Sequence, residues 1–366
     1  MYYAGIDAHR SYLTVAIVDA SGALVEERKR VAIGDGEPLL EALEGYRPLE
    51  AVVETCPFWP WIHDTLEPTE IGFHLAHASK VEAIGKSDVK TDEIDARMLA
   101  RLLSVGLVPE VYPKPEEQRD LVRKVRHRKQ LVRDRTKWVN RIHGHLHAQG
   151  LEIGRERLPR EEGRRWLEEE AWPWLSGEQR RVVGSHLRLI DAVTEEIREV
   201  DKRIRAEAAE NPTAVLLQTI PGIGPFRSLL LAAELTPISR FETPDKLASY
   251  AGLAPRTRSS GGVTRYGRTP GGANRWVRGE LVSAIPTHVR LAPESPLTKH
   301  YERTKERIGW AKARVATARK LARVIHRMLD TGEVWRESRP EESADGQGEA
   351  RNTHAPRPPG LERPEN

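Results

Sequence analysis

The sequence predicts a mixed α/β domain at the N-terminus and a longer all-α region after it. Three observations predict this. Residues 1–31 alternate apolar and polar positions in three short runs, the pattern of strands. Between residues 36 and 105, strand-like and helix-like runs take turns, as in a sheet flanked by helices. From Glu116 onward, helical periodicity dominates. At 366 residues the chain is too long for one compact core, and two domains with accessory helices are expected.

In order, YYAGID, SYLTVAIVDASG and ALVEERKRVAI read as an antiparallel meander that turns at Asp19–Gly22. GEPLLEALEGY (36–46) reads as a short helix and EAVVET (50–55) as a buried strand. A helix over 58–66, a strand at FHLAHA (73–78) and a helix from Asp92 to Val105 complete a βββαβαβα order. A basic helix follows from Glu116 to about Gly150. Ile190, Val193, Ile197, Val200 and Ile204 then form a short coiled-coil seam, which suits either packing within the chain or dimerisation. Asn211-Pro212 ends it.

LLQTIPGIGPFRSLLLAAEL reads as helix, tight turn, helix. Its turn, Pro221–Pro225, resembles a helix-hairpin-helix, in which Gly222 and Gly224 would let backbone N–H groups approach a DNA phosphate. A plain αα-hairpin is the alternative. A basic helix ends near Asp330, and the Pro-, Glu-, Ser- and Gly-rich remainder is expected to be disordered. The expected divisions are residues 1–110, 111–210, 211–335 and 336–366.

The chain is 31% charged and 39% hydrophobic, and no apolar run approaches the roughly 20 residues of a membrane span. The N-terminal MYYAGIDAHR lacks the features of a signal peptide. Cys56 is the single cysteine, which excludes an internal disulfide framework and a Cys-rich zinc site. A soluble, cytoplasmic protein is expected. The net charge of +4 is unevenly spread. Arg119–His145 carries ten Lys/Arg against two acids, Lys299–Asp330 ten against three, and Arg256–Arg278 six arginines and no acid. Such clusters are an electrostatic footprint for polyphosphate. They make Arg123, Lys124, Arg126, Arg128 and Lys129, with Arg256, Arg258, Arg265, Arg268 and Arg275, candidate nucleic-acid contacts.

In VKTDEIDARML, Asp92 and Asp95 are helix-surface neighbours, and like charges so placed cost about 0.2–0.5 kcal/mol. Two other acids close strands: Asp7 ends YYAGID and Glu54 ends AVVE. If those strands are neighbours, both carboxylates emerge at one level, and a helix crossing that edge brings Asp92 and Asp95 alongside. Four oxygen ligands at one point call for Mg²⁺. Two such ions can clamp the attacking and leaving oxygens of a phosphodiester displacement. The bland alternative is a turn cap at Asp7, a surface acid at Glu54, an N-cap at Asp92 and a dipole-compensating acid at Asp95.

These motifs resemble the DEDD transposases of bacterial insertion sequences, whose N-terminal domain has an RNase H/RuvC-like fold. The matching residues are Gly5-Ile6-Asp7, Glu54-Thr55, and Lys90-Thr91-Asp92-Glu93-Ile94-Asp95-Ala96. The family's C-terminal domain is matched by Gly252-Leu253-Ala254-Pro255, Ser260-Gly261, Gly267-Arg268 and Asn274-Arg275. The likeness covers roughly residues 3–110 and 213–290. It departs at Cys56-Pro57, where the family often has glycine, and at Gly271-Gly272-Ala273-Asn274, where a lysine and a glycine are missing.

The resemblance implies a Mg²⁺-dependent site of Asp7, Glu54, Asp92 and Asp95, with two ions. On residues alone, Ser259 and Ser260 in their arginine-rich loop read first as a phosphate-binding turn. The resemblance makes Ser260 a nucleophile that links covalently to DNA, with Ser259 as the alternative. It also implies DNA recombination guided by a structured noncoding bridge RNA, a homodimer or homotetramer, and a nucleoid location. Two rivals are a RuvC-like junction-resolving endonuclease that uses water, and a non-catalytic nucleic-acid-binding protein. His143, His145 and His147 suit a helix terminus or an RNA-facing role better than a zinc site. Trp59, Trp61, Trp172 and Trp174 read as packing residues.

Overall fold

The computed structural model describes residues 1–84, 92–254, 257–260, 263–266 and 272–336. The expectation of a disordered tail falls outside these apart from Arg336.

The apolar-polar alternation at the N-terminus builds β1 (Tyr2–Ala8), β2 (Tyr12–Asp19) and β3 (Leu24–Ala32), an antiparallel meander. β4 (Leu49–Glu54) and β5 (Gly72–Ala76) extend it in parallel, giving the strand order β3-β2-β1-β4-β5. The central strands are apolar on both faces because helices cover both. On one face, Ala4, Ile6, Ala51 and Val53 pack against α1 (Glu37–Leu43) and α2 (Trp59–Leu66) through Leu39, Leu43, Ile62 and Leu66. On the other, Val52 and Ala76 meet α3 (Ala78–Ile84) and α4 (Asp92–Ser104) through Val81, Leu99, Leu102 and Leu103. Trp59 and Trp61 pack on the first of these cores.

α5 (Glu116–His147), α6 (Glu161–Trp166) and α7 (Gly177–Glu210) form a long arm. α5 and α7 run antiparallel: Lys124 pairs with Glu207 near one end and Arg128 with Asp201 one turn on. Ser176 and Gln179 start α7 with reciprocal capping bonds. The coiled-coil seam is consumed within the chain. Ile197, Val200 and Ile204 are buried, and Ile190 joins Val139, Ile142, Leu146 and Val183 in a separate core toward the tip. Trp172 packs there, while Trp174 is 67% exposed.

The remaining helices are α8 (Pro212–Gln218), α9 (Pro225–Leu235), α10 (Pro244–Tyr250), α11 (Arg275–Leu291), α12 (Pro296–Ile308) and α13 (Trp310–Thr331). Their apolar faces share a core with Val125 of α5 and Val200 and Ile204 of α7. Between α10 and α11 the segment read as a loop holds two short strands, β6 (Thr257–Ser260) and β7 (Val263–Tyr266), paired antiparallel. Among the described residues no helix is long and apolar enough to cross a membrane.

Candidate active site

β1 and β4 pair in parallel from Tyr2↔Leu49 to Ile6↔Val53, and the next residue on each strand is a candidate ligand, Asp7 on β1 and Glu54 on β4. Strand alternation sets their direction. Ile6 and Val53 enter the core under α1 and α2, so Asp7 and Glu54 turn to the α4 face. The thiol of half-buried Cys56 senses both acids. Its pKa is raised by burial and further by the Asp7 and Glu54 carboxylates.

The sequence motif around these acids has a steric reason. A methyl group on Gly5 would lie 2.0 Å from the Ala96 carbonyl oxygen and 2.6 Å from the Ala100 nitrogen, so α4 rests directly on the β1 backbone. That contact fixes α4 against β1, with Asp95 one residue before Ala96, beside the strand that carries Asp7. Arg97 adds a clamp: its guanidinium donates two 2.7 Å bonds to Glu27 of β3. The Arg97 bonds hold the Glu27 carboxyl below its usual range. Thr55, the second residue of the Glu-Thr pair, ties the strand ends together. Its N–H donates to Ala76 O at 2.9 Å and its Oγ1 accepts from Ala78 N–H at 3.3 Å.

The described acids do not by themselves close into a cage. Among the described residues, one trio of potential ligands lies within 4.8 Å of one another: His63, Asp64 and Glu67. That trio sits on and just after α2, and Arg119 already holds Asp64. The Asp92 side chain, the fourth candidate ligand, lies outside the described residues. Sequence reading passed over His9, whose Nε2 lies 2.9 Å from Asp7 Oδ2. The signal was available, since His9 follows Asp7 by two residues at a strand end.

The chain that follows the serine segment makes one described contact at the same edge of the sheet. Ser260 ends β6 opposite Val263, and Ser259 lies opposite Thr264. The side chains of Ser259, Ser260, Arg258 and Arg265, and the residues Arg256 and Arg268, lie outside the description. After β7 the described chain resumes at Gly272, whose backbone rests against His77. A methyl group there would lie 2.9 Å from His77 Nε2 and 3.2 Å from Cε1. His77 directly follows β5, so it stands at the end of the parallel strands where Asp7 and Glu54 also emerge. Asn274 then caps α11 by accepting the N–H groups of Trp276 and Val277, and donates to Glu234 Oε2 at 3.0 Å. Glu234 is fully buried and also binds Arg126 and Lys114. Arg275 is exposed at the first position of α11.

The basic cluster of α5 is largely neutralised inside the chain. Arg123 pairs with Asp120, Lys124 with Glu207, Arg126 with Glu234, Arg128 with Asp201 and Lys129 with Glu280. The last four pairs brace α5 against α7, α9 and α11, while Arg123–Asp120 lies within α5. Gly222 has φ +90°, and a methyl group there would lie 2.9 Å from the His288 nitrogen. The α11 backbone occupies the space beside it. His288 Nδ1 also donates to Pro221 O at 2.8 Å, fastening the turn to α11. Gly224 is the open glycine of that turn, with nothing within 4 Å of an added Cβ.

An open sheet with three antiparallel strands, two parallel additions and carboxylates at the parallel ends shares the strand order of RNase H-like domains. Its partner is a helical domain with an arginine-rich hairpin. Comparison with known proteins gives the particular family. The profile of the IS116/IS110/IS902 transposase family matches residues 214–302, and a DEDD transposase profile of the IS110 type matches residues 4–149. Protein y4rJ of Sinorhizobium fredii is 30% identical over 303 residues, spanning 75% of this chain and 75% of that protein. The transposase for insertion sequence element IS1111A of Coxiella burnetii is 29% identical, with 78% and 79% of the two chains covered. The transposase for IS1328 of Yersinia enterocolitica is 27% identical, with 67% and 73% covered. The chain belongs to the IS110/IS116 family of insertion-sequence transposases.

Proposed function

We propose that the chain cleaves and rejoins DNA at one composite site, formed by Asp7, Glu54, Asp92 and Asp95 of the sheet domain and Ser260 of the helical domain. One observation supports this reading: Gly272, twelve residues after Ser260, rests on His77 at the sheet edge where Asp7 and Glu54 emerge. Asp7 and Glu54 share a face, with α4 pressed onto it at Gly5.

The candidate ligands are all carboxylates, a hard oxygen set that suits Mg²⁺. Two bound Mg²⁺ ions would supply charge neutralisation and polarise the reacting oxygens. The chain's own groups do the rest. Asp7 and Glu54 define a fixed edge, and Asp92 and Asp95 of α4 would complete the ligand set. The Ser260 hydroxyl gives up its proton and attacks phosphorus. The strand's bridging P–O bond breaks, the departing oxygen takes a proton, and a phosphoserine link remains. Arg256, Arg258, Arg265, Arg268 and Arg275 offset the charge that builds on phosphorus. Ser259 is the alternative nucleophile. Guidance by a structured noncoding RNA, and work as a homodimer or homotetramer, belong to the same reading through kinship.

Cleavage of labelled DNA in Mg²⁺, measured beside DNA binding, tests it. Asp7→Asn should lower cleavage by at least about 100-fold while binding stays within a few-fold. Undiminished cleavage by Asp7→Asn would refute the carboxylate site.

A further inference from the structure

The second basic cluster, on α12 and α13, is wired differently from the first. Of the ten cations between Lys299 and Asp330, four are held by carboxylates: Lys299, Lys305, Arg319 and Arg327. Six pair with no carboxylate among the described residues: Arg303, Arg307, Lys312, Arg314, Lys320 and Arg323. On α5, by contrast, the five cations read from the sequence as nucleic-acid contacts are all paired.

The fold gathers the free cations. Gly309 turns α12 straight into α13, so the two helices lie side by side as a hairpin. Leu297, Tyr301 and Thr304 of α12 point inward, as do Thr317, Leu321 and Ile325 of α13. Arg303, Arg307 and Lys320 are left exposed on the outer side. Half-buried His300 lies between them and registers their proximity. Its pKa is lowered by burial and then by Lys320, Arg303 and Arg307. At the turn, Arg314 lies 4.7 Å over the ring of Trp310, which is 60% exposed. Glu302 of α12 is taken up by Lys305 at 2.9 Å. Glu306 stays exposed beside Arg303 and Arg307 in sequence.

Like charges crowded on an outer face with no internal partners repel one another, and a polyanion relieves that repulsion. We propose that the outer face of the α12–α13 hairpin, with Arg303, Arg307 and Lys320 at its centre, is a docking surface for the phosphate backbone of duplex DNA. The surface recognises charge spacing and no base sequence, so it holds the duplex whose strand is processed elsewhere. It rests on the reading that the chain acts on DNA.

The test is equilibrium binding of the full chain to a labelled duplex DNA of arbitrary sequence, by fluorescence anisotropy across a salt series. The probes are wild type and the variant Arg303→Gln/Arg307→Gln/Lys320→Gln, each checked for an unchanged melting temperature. Each lost phosphate contact lowers the slope of log K against log salt by about 0.9. The triple variant should therefore lose about two to three units of slope and bind at least about tenfold more weakly near 0.1 M salt. The paired cation Arg164, held by Asp191 and replaced by Gln, should leave the slope unchanged. An unchanged slope in the triple variant overturns the surface alone, because wild-type binding shows that the DNA reading stands. A wild type that does not bind duplex DNA overturns both. A duplex RNA arm that weakens while the DNA arm does not overturns the assignment to DNA.

Discussion

At Gly5 an added methyl group would sit 2.0 Å from one backbone atom of α4 and 2.6 Å from another. Neither atom can rotate away, so Gly5→Ala must push the helix off the strand and carry Asp95 from Asp7. Overpacking of this kind costs about 1–3 kcal/mol, and misplacing a ligand by an ångström costs on the order of 100-fold in rate. Thermal melting and the Mg²⁺ cleavage assay should show both losses together in Gly5→Ala. Normal cleavage in a folded Gly5→Ala would mean that the Gly5 contact does not position the site. The acids themselves were legible, because a strand-end aspartate and a paired Asp-x-x-Asp are local patterns. The residues that locate them were less so. His9 was two positions away and overlooked. His77 acquires its meaning from Gly272, a contact between distant stretches that no window of sequence contains.

Among elements, the α5–α7 arm shows where charge counting misleads. Ten cations against two acids looked like a polyphosphate face, yet the partner acids Glu207, Asp201, Glu234 and Glu280 lie on other helices. A local count cannot see them. The apolar seam of α7 was legible from its three- and four-residue steps, but its partner was not, because the same seam suits a second copy or α5. Toward the tip of the arm, His143 and His186 both have lowered pKa values, first from burial. His147 and Arg155 add to the effect at His143, opposed by Glu152 and Glu156, and Arg141 and His145 add to it at His186.

Both imidazoles are therefore neutral in the folded arm and charge more readily when it opens. Their contribution to stability is present above the unfolded histidine value of about 6.5 and is lost as pH falls through it toward the folded values. Hydrogen exchange across residues 139–190 should be slow at about pH 7 and faster, after correction for intrinsic rates, at about pH 5. In His143→Phe/His186→Phe the difference should shrink. An arm equally protected at both values would show that burial does not keep these rings neutral.

For the whole molecule, Gly272, just before α11, reaches the sheet edge where Asp7 and Glu54 emerge. The sheet domain was legible in outline, because βββαβαβα with buried central strands leaves few topologies. The helical domain was legible as helices but not in detail. Its loop proved to contain the β6–β7 hairpin, because four-residue strands flanked by glycines carry little periodicity. The Gly222 turn is packed under α11 but open at Gly224. The composite site proposed for the two halves has a chemical test as its most direct one. Wild type, Ser260→Ala, Ser259→Ala and Asp92→Asn would be incubated with Mg²⁺, structured RNA from the element's end and labelled junction DNA. The products would be resolved under denaturing conditions, and any DNA-linked band digested and mapped by mass spectrometry. The account predicts a DNA-linked band carrying its nucleotide remnant on Ser260, absent from Ser260→Ala and Asp92→Asn and retained in Ser259→Ala. Cleavage without any linked band, undiminished in Ser260→Ala, would contradict it and make water the nucleophile.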